Sequence, residues 1–177
     1  LTDLVDFLKI LNNKEKIHII GAGSNTLITD EVYDGVIIKL GKNFNRLSVL
    51  NSNIIISGTA VLDKKLAEYA AENSLSGFEF LACIPGTVGG GLRMNAGCFG
   101  KEIKDILVSI QAVDKSGNVL TIPAKEINFD YRNNDLSDNL IFLSASFKGE
   151  KKDTKKIIET MLKLKDKKDN NQPTKVK

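Results

Sequence analysis

Two glycine-rich stretches are the first candidates for chemistry in this sequence. Residues 84–97 read Ile-Pro-Gly-Thr-Val-Gly-Gly-Gly-Leu-Arg-Met-Asn-Ala-Gly and contain five of the chain's 14 glycines. Because glycine lacks a Cβ, its backbone can adopt positive φ angles and approach another group closely. The apolar residues between the glycines predict a buried segment, whose amides need acceptors that a phosphate-rich ligand would supply. A tight turn that leads into a packed helix is the alternative interpretation.

The shorter stretch, residues 21–28, reads Gly-Ala-Gly-Ser-Asn-Thr-Leu-Ile and follows an apolar run that predicts a buried strand over 17–20. Successive amides in such a turn can form an anion-binding nest, and Ser24 and Asn25 add donors without charge. The stretch lacks the third glycine and the helix of a dinucleotide-binding fingerprint, and no Gly-Lys-Ser/Thr follows as in a P-loop. Its β-branched and apolar residues instead predict a second strand over 26–29.

Arg132 is the third candidate, because it follows Tyr131 in a polar loop and the chain holds only three arginines. A guanidinium keeps its charge and binds a carboxylate or phosphate through two donors. A surface ion pair with Asp130 or Asp135 is the alternative. His18, the only histidine, is interpreted as structural because no titratable partner lies near it in sequence.

Composition narrows the class of protein. The 177 residues are 42% hydrophobic and 27% charged, which is typical of a soluble globular protein, and no apolar run is long enough to span a membrane. The two cysteines, Cys83 and Cys98, are too few for a zinc site or a disulfide framework and indicate buried thiols in a reducing cytoplasm. The net charge of +3 comes from a lysine-rich C-terminal segment without interleaved aromatics, so we expect no nucleic-acid partner. Because the cysteines are too few for a zinc site, we also expect no bound metal.

Periodicity predicts the elements that must position these residues. Leucines at positions 4, 8 and 11 predict an N-terminal helix, a second helix ends near residue 73, and a third follows Asp153. From residue 165 the chain is polar, and we expect it to be extended or disordered. Further strands are predicted over 36–40, 46–50, 54–57, 106–114, 119–122 and 140–147. Strands joined by hairpins with scattered helices favour an α+β fold over a doubly wound sheet.

The order of three motifs carries a family resemblance. Gly-Ala-Gly-Ser-Asn at 21–25, the long block over 77–100 and Phe-Asp-Tyr-Arg at 129–132 resemble the UDP-N-acetylenolpyruvoylglucosamine reductases, which bind FAD between two lobes. The resemblance runs from Leu4 to Pro173. It implies a two-lobed, PCMH-type FAD-binding fold with a partial first lobe over 1–40 and a larger mixed-sheet lobe over 41–150. Residues 151–177 would form a helix and linker toward a C-terminal substrate-binding domain.

The resemblance also implies an activity. These flavoproteins use NADPH and non-covalent FAD to reduce UDP-N-acetylglucosamine enolpyruvate to UDP-N-acetylmuramate, in bacterial peptidoglycan synthesis. Arg132 would be catalytic, Tyr131 would contact substrate, and the partners would be the UDP-sugar and NADPH of a cytoplasmic monomer. The cofactor-binding residues implied are Gly21, Ala22, Gly23, Ser24, Asn25, Thr26, Leu27, Ile84, Pro85, Gly86, Thr87, Val88, Gly89, Gly90, Asn95 and Gly97.

The family places a catalytic serine and a catalytic glutamate beyond the position of Pro173, and an N-terminal segment before the first helix. We therefore expect this chain alone to be an inactive flavin-binding core. Two other hypotheses remain open. One is another FAD-dependent oxidase or dehydrogenase of the same superfamily, which would act on an alcohol or hydroxy acid. The other is a non-enzymatic nucleotide-binding module.

Overall fold

A computed structural model describes residues 1–12 and 14–171, and the element bounds below refer to that part of the chain. The helices are α1 (Thr2–Leu11), α2 (Asp63–Glu72), α3 (Val88–Arg93) and α4 (Thr154–Asn171). Short 3₁₀ turns cover Lys42–Phe44, Glu79–Cys83, Ile103–Asp105 and Ala124–Glu126. The strands are β1 (Ile17–Ile19), β2 (Val36–Ile38), β3 (Leu47–Asn51), β4 (Ile54–Gly58), β5 (Leu75–Ser76), β6 (Gly97–Cys98), β7 (Lys101–Glu102), β8 (Leu107–Val113), β9 (Val119–Pro123), β10 (Phe129–Asp130), β11 (Asn133–Asn134), β12 (Ile141–Lys148) and β13 (Glu150–Lys151).

A five-stranded antiparallel sheet in the order β3-β4-β12-β8-β9 forms the centre of the fold. Two of its neighbouring pairs, β3-β4 and β8-β9, are the hairpins that the sequence predicts. β12 lies in the middle and is buried along most of its length, since layers cover both faces of the sheet there. The predicted α+β class with hairpin-connected strands is confirmed.

The larger core lies between this sheet and the helices α2 and α3. Leu66 of α2, Leu92 of α3 and Ile110 of β8 are all fully buried in it. The rings of Phe78 and Phe147 meet edge to face, with centroids 6.3 Å apart. Burying each such side chain contributes roughly 1.5–3 kcal/mol, so α2 and α3 are held firmly against the sheet.

The N-terminal elements pack on a second, smaller core. β1 and β2 pair in parallel as a separate two-stranded sheet, and Leu8 of α1 is buried against Val113, Ile141 and Leu143 of the central sheet. The division of the chain at residues 40 and 150 stays a prediction.

Two local predictions are wrong. Residues 20–35 contain no strand, because the stretch predicted to be extended is solvent-exposed and finds no partner strand; Leu27 is 97% exposed. The polar segment predicted to be extended from residue 165 continues α4 as far as Asn171, where Lys168 Nζ donates a 2.6 Å hydrogen bond to the Cys83 carbonyl. Residues 172–177 of that prediction lie outside the described residues. Within the described ranges, no helix combines the length and the apolar character needed to cross a membrane.

Candidate functional site

The two glycine-rich stretches lie against each other, although they are far apart in sequence. Ser24 Oγ donates a 2.7 Å hydrogen bond to the Pro85 carbonyl. At Gly21, a Cβ would collide with Thr87 Oγ1, so glycine leaves room for the Thr87 side chain where the two stretches meet. Together the stretches line a cleft of about 1510 Å³.

The backbone of residues 21–27 is rich in unused donors. Within the described part of the chain, none of these N–H groups donates a hydrogen bond to a backbone or side-chain acceptor. Gly23 adopts φ +73°, a left-handed conformation that glycine reaches without strain. Consecutive amides in a glycine turn that have no protein acceptor provide the donors of an anion-binding nest.

The longer stretch divides into two parts with different roles. Val88 begins the packed part, which is α3. The amide of Gly89 donates to the Thr59 carbonyl, and a Cβ there would lie 3.1 Å from Thr59 Cβ. These glycines therefore let α3 pack closely, as the helix alternative predicted. The preceding amides of Gly86 and Thr87 donate to no acceptor among the described residues, and both residues line the cleft.

A buried carboxyl lies at the floor of the cleft. Asp63 begins α2, is 1% exposed, and neither of its carboxyl oxygens has a hydrogen-bond partner in the described chain. Its backbone amide donates to the Gly86 carbonyl, which ties the start of α2 to the longer glycine stretch. Burial raises the pKa of the Asp63 carboxyl to about 7 from its ordinary value of 3.8, because burial penalises the charged form.

Arg132 occupies the two-residue turn of the β10–β11 hairpin. It adopts φ 54°, a left-handed conformation that costs energy for a residue with a side chain. Its guanidinium carbon lies 5.4 Å from the centre of the Tyr131 ring. Asp130 instead accepts from the Tyr131 amide, and Asp135 accepts from Asn128. The surface ion pair is thus not formed with either aspartate, and Arg132 lines the cleft.

Two buried asparagines hold this hairpin beside the glycine stretch. Asn95 accepts a hydrogen bond from the Lys104 amide and donates 3.3 Å to the Asp130 carbonyl. Asn134 donates 3.1 Å to the Leu92 carbonyl at the end of α3. The position of Arg132 at the cleft is therefore set by side chains that bridge α3 and the hairpin.

Nearly all of the predicted site residues line this one cleft. Two do not. Leu27 points to solvent at 97% exposure, and Val88 is fully buried in the larger core, with its amide bonded to the Val61 carbonyl.

The sequence reasoning missed Asp63 and Lys168, which both line the cleft. An aspartate at the first turn of a helix is an ordinary start signal, so nothing in the sequence marks Asp63 as unusual. Lys168 lies in a stretch that the pattern predicted to be unstructured. Cys83 and Cys98 also line the cleft as free thiols.

Comparison with known proteins places the chain in a family. The sequence model described as "FAD binding domain" matches residues 1–123. A UDP-N-acetylenolpyruvoylglucosamine reductase of Pelagibacter ubique is 64% identical over the whole chain, which covers 59% of that relative. One of Rickettsia conorii is 46% identical over 98% of this chain and 58% of its own length. The chain thus spans somewhat more than half the length of the curated relatives it matches.

Solved structures agree on the fold. The UDP-N-acetylenolpyruvylglucosamine reductase of Thermus caldophilus superimposes with a TM-score of 0.82 at 29% identity, over 96% of this chain and 61% of that one. A carbon monoxide dehydrogenase of Hydrogenophaga pseudoflava shares the fold alone, with a TM-score of 0.60 at 13% identity over 84% of this chain and 56% of its own. From its sequence match and its fold, the chain belongs to the FAD binding domain family.

Proposed function

We propose that the protein to which this chain belongs reduces UDP-N-acetylglucosamine enolpyruvate to UDP-N-acetylmuramate with NADPH and FAD. The observation that carries the proposal is that Arg132, free of any ion pair in the described chain, lines the same cleft as both glycine-rich stretches. The names and identities of the relatives support the same reaction.

The residues of the cleft fit an FAD diphosphate. The free amides of 21–26 and of Gly86 and Thr87 offer donors for the two phosphates. At Gly21 a side chain would close the space between the two stretches. We assign these stretches to the cofactor, and the absence of a cysteine–histidine attachment pattern in the sequence supports non-covalent binding.

Arg132 acts where negative charge develops. When bound, FAD supplies hydride transfer between NADPH and the enolpyruvyl group. Hydride addition places negative charge next to the substrate carboxylate, and a fixed guanidinium stabilises this charge because it remains protonated. The asparagine hydrogen bonds on either side of Arg132 hold the hairpin turn that carries it at the cleft.

Several parts of the proposal concern the whole protein. The UDP-sugar and NADPH are its small-molecule partners, the enzyme is a cytoplasmic monomer, and Tyr131, 76% exposed beside the cleft, contacts the substrate. Protonation of the reduced substrate requires an acid that belongs to the remainder of the reductase, as the family resemblance implies.

The test is Arg132→Ala in the full-length protein. Substrate reduction should fall by about 10²–10³-fold, as for other residues that stabilise developing charge, while bound flavin and its reduction by NADPH remain. Arg46→Ala is the matched control, because Arg46 is exposed and lies outside the cleft. Unchanged steady-state turnover in Arg132→Ala would contradict the proposal.

The choice of electron donor separates this function from that of another flavin oxidase or dehydrogenase. NADPH should bleach the flavin absorbance within the turnover time, and a small alcohol or hydroxy acid should not. Bleaching by an alcohol alone would favour the other superfamily reaction, and a protein that never takes up flavin would contradict both.

A further inference from the structure

Among the described residues, Asp63 is the one buried acidic residue that lines the cleft. A Cβ on Gly86 would lie 3.3 Å from Asp63 Oδ2 and 3.5 Å from Ser24 Oγ, and a Cβ on Gly91 would lie 3.2 Å from Asp63 Oδ1. The carboxyl thus lies next to Gly86, where the two stretches meet, and it lines the same cleft. A phosphate held by the free amides of these stretches would share the cleft with this carboxyl.

No cation neutralises this carboxyl within the described chain. On α2, Lys64 and Lys65 pair with Glu68 on the solvent side. On α3, Arg93 donates to the Leu140 carbonyl. The remaining charged or titratable side chains that line the cleft are His18, Lys39, Cys83, Cys98, Lys101, Glu102, Lys104, Asp105, Tyr131, Arg132, Asp138 and Lys168.

None of these groups pairs with the Asp63 carboxyl, and two of the lysines are engaged elsewhere. Lys104 pairs with Glu102 at 2.7 Å, and Lys168 donates to the Cys83 carbonyl. Burial alone, rather than a neighbouring charge, raises the pKa of the Asp63 carboxyl to about 7. The proton of this carboxyl is therefore exchangeable near neutral pH, before any ligand is bound.

We propose that Asp63 is a neutral carboxylic acid in the FAD-bound state, and that its protonation state controls the affinity for the cofactor diphosphate. The inference rests on the assignment of residues 21–26 and 86–87 to the diphosphate. An ionised Asp63 and a bound diphosphate would be two anions in one cleft, with no cation paired to the buried carboxylate, and like charges near each other disfavour the charged form of the carboxyl. FAD binding and protonation of Asp63 are therefore coupled.

The coupling has a definite sign. Below pH 7 the carboxyl already holds its proton, so FAD binds without a change in protonation. Above pH 7 each binding event must take up one proton, and the dissociation constant rises with pH by up to tenfold per unit. The diphosphate diester of FAD itself does not titrate in this range. From pH 6 to pH 8 the dissociation constant for FAD should increase by about tenfold.

The experiment measures FAD affinity of the apo chain by flavin fluorescence between pH 6 and pH 8. Asp63→Asn is the matched variant, because the amide has the shape of the acid and stays neutral. It should bind FAD as tightly at pH 8 as the wild type does at pH 6, with less than a twofold change over the range. Asp138→Asn removes a fully exposed carboxylate at the same cleft and should retain the tenfold dependence of the wild type.

Direct proton counting provides a second measurement on the unaltered chain. At pH 8, FAD addition in weakly buffered solution should consume close to one proton per FAD bound. A wild-type affinity that is flat or rises with pH, with no proton consumed, would overturn the inference and leave FAD binding intact. Failure of every variant to bind FAD at any pH would instead refute the assignment of the cleft to FAD.

Discussion

Replacing Asp63 by asparagine should change how the stability of the FAD-free chain depends on pH. In the unfolded chain the carboxyl ionises at its ordinary pKa of 3.8, whereas burial raises the pKa in the folded chain to about 7. Between these values the folded state binds more protons than the unfolded state, so the free energy of unfolding falls as pH rises. Above pH 7 both states are ionised, and the loss is complete.

The magnitude follows from the two pKa values. The difference between 3.8 and about 7, converted at about 1.4 kcal/mol per pKa unit, corresponds to about 4 kcal/mol of destabilisation at high pH. Integration over the range that can be assayed, from pH 5 to pH 8, leaves about 2–3 kcal/mol. Exposed carboxyls such as Asp114 and Asp135 do not obscure this loss. Their hydrogen bonds lower their pKa values. Their stabilisation is therefore lost only at pH values below 5 and stays constant over the assayed range.

Urea unfolding of the apo chain at pH 5, 6, 7 and 8 measures this effect. Asp63→Asn has no ionisable group at the site, so its free energy of unfolding should not change with pH on account of this residue. The difference in free energy of unfolding between variant and wild type should be larger at pH 8 than at pH 5 by about 2–3 kcal/mol, in favour of the variant. Asp138→Asn, whose wild-type carboxylate is fully exposed, should parallel the wild type. Parallel pH profiles for wild type and Asp63→Asn would refute the burial argument.

Two further substitutions test the geometry of the cleft. Gly21→Ala should weaken FAD binding by at least tenfold without unfolding the chain, because the new methyl group meets Thr87 Oγ1; Gly41→Ala, where the space around the Cβ is open, should bind FAD normally in the same fluorescence titration. Asn95→Ala should lower the free energy of unfolding by about 1–3 kcal/mol in urea, because it leaves buried hydrogen-bonding groups without partners. A loss below 0.5 kcal/mol would show that the link from Asn95 to the Asp130 carbonyl is not significant.

The hairpins of the central sheet and the helices that pack on it were predictable because they follow from local sequence patterns. β3 and β4 have alternating or apolar runs on either side of a short Asn-Ser-Asn turn, and α2 has apolar residues at helical spacing. The strand expected over 26–29 had similar local preference. It does not form, because a strand also requires a neighbouring strand for its backbone hydrogen bonds. Residues such as Leu27 face solvent instead.

For the candidate site, the residue types could be predicted from the sequence, and their arrangement could not. The glycines, Ser24 and Arg132 were identifiable from residue type, because anion binding by amides and charge stabilisation by a guanidinium each require particular groups. That these residues line one cleft was not visible in any local sequence pattern. The hydrogen bond from Ser24 to the Pro85 carbonyl joins residues 61 positions apart, and the tether from Asn95 to the hairpin crosses 35 positions.

The sequence by itself determined which groups are available for chemistry: two runs of flexible backbone amides, one cation in a polar turn and a set of strands that pair locally. Only the tertiary structure decided which of these groups share a cleft and which are withdrawn from water. Asp63 is the clearest case, since a helix-starting aspartate is normally exposed and charged. Here α2 packs under residues 86–91, which removes the Asp63 carboxyl from solvent. Burial is a property of the whole fold, and it raises the pKa of this carboxyl to about 7.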